Sequence, residues 1–121
     1  MKLTCIFDSV GKDGQDNKEA WQALPSFMRL MVRQTQQKIM QMLLANNPGR
    51  EFKKTSGFRS PRVTARYGGK DHSSHHWGGA VDIARQLGDS TPVVASGFVC
   101  VTESDHYHIQ YEVVKCDGNL L

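Results

Sequence analysis

The sequence predicts an α+β fold, with an N-terminal helix packed on a small antiparallel sheet. Three observations carry this. The stretch "FMRLMVRQTQQKIMQMLLA" repeats apolar residues at helical spacing. The segments "GAVDIA", "VVASGFVCVTE" and "HYHIQYEVV" are short and rich in β-branched and aromatic residues. The helical pattern precedes the strand patterns instead of alternating with them, which separates α+β from α/β.

Element by element, "KLTCIFD" reads as a first strand and "GKDGQDN" as a polar turn. "KEAWQAL" starts a short helix capped by Asp16 or Asn17, and Pro25 interrupts it. Ser26 stands where the N-cap of the long helix is expected. Met28, Met31 or Val32, Thr35, Ile39, and Met42 or Leu43 recur at three- and four-residue steps and mark its buried face. The methionines read as core filling. "NNPG" supplies Asn, Pro and Gly stop signals. "EFKKT" is a short strand, "SGFRSP" a turn, and "PRVTARYGG" one or two helical turns ended by glycines. "GAVDIA" is a buried strand and "QLGDSTP" a loop. The last two β-rich segments form an antiparallel hairpin joined at "ESDH".

A chain of 121 residues is read as one domain, 1–121, with a modest core. With 39% hydrophobic and 22% charged residues, the composition is that of an ordinary globular protein. No apolar run is long enough to span a membrane, so no membrane insertion is expected. "MKLTCIFDSVGKD" is too short and too weakly charged for a secretory signal, which places synthesis in the cytoplasm. The net charge of +3 is small for a nucleic-acid binder, and no nucleic-acid partner is expected. Cys5, Cys100 and Cys116 are odd in number and lack C-x-x-C spacing. They read as half-buried thiols on strands. A monomer is expected.

The chemistry is concentrated in "DHSSHHWGGAVDIA" and "DHYHIQY". His75 and Asp82 are seven residues apart, with Gly78 and Gly79 between them to let the chain turn tightly. His106 and His108 would point to one face of a strand. Two histidines and one carboxylate, with a fourth position left open, make the donor set of a catalytic zinc. Such an ion lowers the pKa of water toward neutrality and polarises a carbonyl. A carboxylate is still needed as general base, and Asp105 or Glu103 could supply it.

"SSHHWGGAVDI" resembles the S-x-H-x-x-G-x-A-x-D motif of the zinc D-Ala-D-Ala carboxypeptidase family. That family includes phage L-alanyl-D-glutamate endolysins and shares its fold with hedgehog signalling domains. The matching positions are Ser73, His75, Gly78, Ala80 and Asp82. "SGFRSP" is similar to the family's S-G-[YF]-R-[ST] element and places Arg59. "DHYHIQ" resembles its [DE]-x-[WY]-H element, with Tyr107 where Trp is common. The resemblance covers Thr55 to Gln110 in three elements in the right order.

The resemblance implies a Zn²⁺ cofactor held by His75, Asp82 and His108. It implies Asp105 as the base and proton donor, Arg59 as a group that stabilises negative charge and binds substrate, and Ser73 as a substrate-positioning residue. His106 with Glu103 is the competing ligand and base. His76 breaks the spacing to Asp82, and His72 has no counterpart in the motif. The implied activity is hydrolysis of peptidoglycan stem peptides by an endolysin-type metallopeptidase of phage or prophage origin, reaching the cell wall through a holin or on a virion. A D-Ala-D-Ala carboxypeptidase or dipeptidase, and a catalytically silent zinc-stabilised module, stay open. Arg59, Arg62, Arg66 and Lys70 could steer acidic stem peptides toward the site.

Overall fold

A computed structural model describes residues 6–68 and 74–112. The chain runs α1 (Gly11–Ala23), α2 (Ser26–Asn46), β1 (Lys54–Ser56), α3 (Pro61–Arg66), a 3-10 turn (Ser74–Trp77), β2 (Ala80–Ala84), β3 (Phe98–Thr102) and β4 (His106–Tyr111). The four strands form one antiparallel sheet in the order β1-β2-β4-β3. The α+β class is therefore observed, with α2 packed on one face of the sheet.

Strand periodicity explains the two faces. Val81 and Ile83 on β2, and Tyr107 and Ile109 on β4, alternate with Asp82, His106 and His108. The apolar set packs with Ile39, Met42, Leu43 and Phe52 in the main core. Full burial of Ile39 or Leu43 contributes about 1.5–3 kcal/mol each. The polar set is left on the opposite face. Trp21, Val32 and Phe58 make a second cluster, joined by Ile6, Phe7, Ala20 and Leu24.

On β1 the ladder pairs Lys54 with Ile83 and Ser56 with Asp82. Two residues advance on β1 while one advances on β2, which is a bulge. It sends Lys54 and Ser56 to opposite faces. Lys54 is buried with Nζ donating to Gln36 Oε1 at 2.7 Å, and Ser56 Oγ takes a hydrogen bond from Arg59 at 2.7 Å.

Several sequence expectations shift. "GKDGQDN" is the first half of α1, not a turn. Gly14 packs its backbone against Ser9 more closely than any Cβ would allow. Asp16 and Asn17 are no caps: they lie inside the helix and are satisfied from far along the chain. Asn17 donates to the Asp8 carbonyl at 3.1 Å and accepts from the Ser60 backbone at 2.8 Å. Asp13 and Asp16 both pair with Arg66. Ser26 is the first residue of α2 and makes no capping bond; the helix begins on the Pro25 carbonyl, which accepts from Met28 and Arg29.

On α2 the buried face is Val32, Gln36, Ile39, Met42 and Leu43, while Met31 is exposed. Gln36 is buried because its amide bridges Lys54 and the Ile6 carbonyl. The first expected strand falls mostly on residues outside those described; its described end makes one parallel bridge, Phe7 to Phe58. Strand β3 starts only at Phe98. The Val93 backbone is instead clasped by the Asn47 side chain, at 2.8 and 2.9 Å. Cys100 is a free, partly buried thiol whose pKa is pushed up by burial, as a packing role requires. Cys5 and Cys116 lie outside the described residues.

Candidate metal centre

The polar face of the sheet brings His75, Asp82 and His108 together. Asp82 and His108 meet because they are direct cross-strand partners on β2 and β4. His75 comes from the 3-10 turn that precedes β2. Gly78 ends that turn at φ +76°, and a Cβ there would stand 2.5 Å from Val32 Cγ1. Only glycine allows both the left-handed backbone and this approach to α2, and the approach seats His75 over Asp82.

His75 Nε2 lies 3.2 Å, and His108 Nδ1 3.0 Å, from Asp82 Oδ1. The donor atoms of the three residues all lie within 4.8 Å of one another. Around a tetrahedral zinc with bonds of about 2.0–2.1 Å, ligand atoms sit roughly 3.3 Å apart. His75 and Asp82 are buried and His108 is partly buried.

Each imidazole is held by its remote nitrogen. His75 Nδ1 donates to the Gly57 carbonyl at 2.7 Å. A carbonyl can only accept, so the neutral ring carries its lone pair on Nε2, toward Asp82. His108 Nε2 donates to Gln110 Oε1 at 2.6 Å, leaving Nδ1 toward Asp82. Three electron-pair donors thus converge, with outer hydrogen bonds of the kind that orient metal ligands. Burial would raise the Asp82 carboxyl, but in the ion-free site a ring N–H of His108 and one of His75, turned to it, donate hydrogen bonds that outweigh burial and hold the group far below the carboxylate range; a metal ion would take the place of those protons. Burial pulls the His108 imidazolium down, and Asp82 and Gln110 outweigh that, for a net rise. The group can hold a metal ion.

Arg59 reaches the site's edge. Its guanidinium donates to Asp82 Oδ2 at 3.1 Å as well as to Ser56 Oγ. Its backbone N–H donates to the His75 carbonyl at 3.1 Å. Asp105 is placed differently from a base that faces the cluster. Its side chain is 86% exposed, and Oδ1 lies 2.6 Å from His106 Nδ1. The His106 hydrogen bond holds Asp105 below the usual carboxylate range. His106 turns Nε2 inward, 3.9 Å from Asp82 Oδ2. His106 therefore stands beside the cluster, between it and Asp105, instead of joining it.

Glu103 is exposed, and its carbonyl takes a bond from Arg85. His76 turns away to Thr64 Oγ1 at 2.9 Å. Ser73, His72 and Lys70 lie outside the described residues. Arg62 and Arg66 face Asp13 and Asp16, so they form no bare positive field beside the site. Sequence reasoning missed Gly57, Ser56 and Gln110 as supports. Gln110 was within reach, since it shares the strand face of His108 two residues on. The Gly57 carbonyl carries no side-chain signal at all.

Fold and site together define an α+β protein with a His–Asp–His group able to hold a metal ion. Comparison of the chain with protein-family models, with curated proteins and with solved structures finds no match.

Proposed function

We propose that this protein is a zinc peptidase of the hedgehog-type fold that hydrolyses bacterial cell-wall stem peptides, in the manner of a phage or prophage endolysin. The observation that supports this most is the convergence of His75 Nε2, His108 Nδ1 and Asp82 Oδ1, each imidazole anchored behind. Zinc held there supplies a Lewis acid that polarises a carbonyl and acidifies water.

The chain's own groups do the rest. Arg59, fixed by Ser56 and Asp82, offers positive charge where a substrate carbonyl or carboxylate would develop or carry negative charge. Asp105 acts through His106: the carboxylate accepts the Nδ1 proton, so Nε2 is the basic nitrogen turned toward the cluster. Proton transfer from water to the leaving amine then runs by His106 Nε2, with Asp105 setting its tautomer. Ser73 retains its proposed part in positioning substrate.

The test is a digest of intact peptidoglycan with and without chelator, read by mass spectrometry, beside a zinc assay. One zinc per chain and chelator-sensitive fragments are expected. The masses and new amino termini name the bond, whether L-Ala-D-Glu, a D-Ala cross-link or a terminal D-Ala-D-Ala. The Asp105→Ala variant should keep its zinc and lose roughly a hundredfold or more in rate. The exposure of Asp105 favours one second reading, a zinc-stabilised binding module. A zinc-loaded wild type that releases no fragments, yet sediments with peptidoglycan, would select it.

A further inference from the structure

The solvent face of α2 carries a ridge that neither the core nor the metal centre uses. Phe27, Leu30 and Met31 are 65%, 55% and 59% exposed. Their spacing of three and four residues sets them side by side on the first turns of the helix. Scattered exposed apolar residues are ordinary, but three large ones on adjoining turns make a contiguous patch.

The charge on the helix that carries the patch has one sign. α2 contains Arg29, Arg33 and Lys38 and no acidic residue. Arg29 and Arg33 line an open depression of about 480 Å³ beside the ridge. Arg33 lies over the Trp21 ring at the foot of that depression, 5.4 Å from its centroid. Among the described residues neither Arg29 nor Arg33 forms an ion pair.

We propose that this face adsorbs on an anionic phospholipid bilayer. Phe27, Leu30 and Met31 would sit among the headgroups and upper acyl chains, and Arg29 and Arg33 on lipid phosphates beside them. An apolar ridge flanked by cations is the pattern of an interfacial helix. The three side chains are more than half exposed on the outer face of a helix, which suits a soft interface that closes around them; a protein partner would need a matching groove. No described helix is long and apolar enough to cross a membrane, so the contact is adsorption and not insertion. The proposal is independent of the peptidase reading.

The test is co-sedimentation of purified protein with vesicles of phosphatidylcholine alone, or of equal parts phosphatidylcholine and phosphatidylglycerol. Binding is expected only to the anionic vesicles, and should weaken as salt screens the phosphates. The Arg29→Gln, Arg33→Gln variant should bind roughly thirtyfold more weakly. The Phe27→Ser, Leu30→Ser, Met31→Ser variant should lose binding while keeping wild-type circular dichroism, because all three side chains lie outside the core. Chelator-treated protein that is still folded should bind as before, which separates this surface from the metal centre. Equal binding to both vesicle types, or undiminished binding by the triple serine variant, would overturn the proposal. So would a wild type that ignores vesicles but forms dimers, or retains nucleic acid, through the same residues.

Discussion

His75 and His108 show how little freedom the candidate metal centre has. Each ring has one nitrogen on an outer protein oxygen and turns the other to Asp82 Oδ1. Gln110 is the support most open to test. In Gln110→Leu the His108 ring loses the acceptor that orients it, and zinc affinity should fall about ten- to a hundredfold. Competition with a chromophoric chelator measures this. Unchanged affinity would show that Asp82 alone orients the ring. Tyr107, between the two histidines of β4, points the other way into the core and is 1% exposed, so the aromatic residue of the "DHYHIQ" element is explained by packing against α2.

At the level of elements, α1 and α3 are locked by charge. Arg66 pairs with Asp13 and Asp16, and Tyr67 donates to Asp13 Oδ2. The Tyr67 hydrogen bond and Arg66 hold Asp13 below the ordinary carboxylate range, and Arg66 does the same for Asp16. A carboxyl with a lower pKa folded than unfolded stabilises the fold fully above the ordinary carboxylate range. That contribution is lost as pH falls through the range. Thermal unfolding followed from about pH 6 to about pH 3 should therefore show wild type losing more stability than Asp16→Asn. Parallel curves would mean that the pairs are solvated on both sides of the transition. The same contacts explain why α1 was hard to read: "GKDGQDN" has turn composition, and two of the groups that satisfy it, at Ser60 and Arg66, lie more than forty residues away. β2 and β4 were legible because their alternation is local, Val81-Asp82-Ile83 on one and Tyr107-His108-Ile109 on the other. His75 and Asp82 were legible as candidate ligands by type and spacing, whereas the choice of His108 over His106 came from the resemblance of "DHYHIQ" to the [DE]-x-[WY]-H element. The contact between Asp105 and His106 was not legible, because side-chain direction at the first residue of a strand depends on the bend before it.

For the molecule as a whole, the candidate metal centre lies opposite the α2 core, and its contacts to Asp82 join the 3-10 turn and two central strands. An ion bound only by the folded chain stabilises it by mass action, about 2.7 kcal/mol at a hundredfold excess over Kd. Chelation should therefore lower Tm by roughly 10 °C in differential scanning calorimetry. An unmoved Tm would mean that the trio binds no ion under those conditions. The cross-strand register has a further consequence for the chain's tolerance to change. Asp82 and His108 are neighbours through the ladder, not through the segment that links β2 to β3. The tip of that segment, at Leu87, is fully exposed and Gly88 turns it at φ +87°. A flexible Gly-Ser insert after Leu87 should thus leave zinc stoichiometry intact, which atomic absorption would read. The rest of the segment is tied down, by Arg50 at Ser90 and Asn47 at Val93, so only its exposed turn is spare length on the chassis of the sheet, and that turn is where a reporter or an affinity tag should be tolerated.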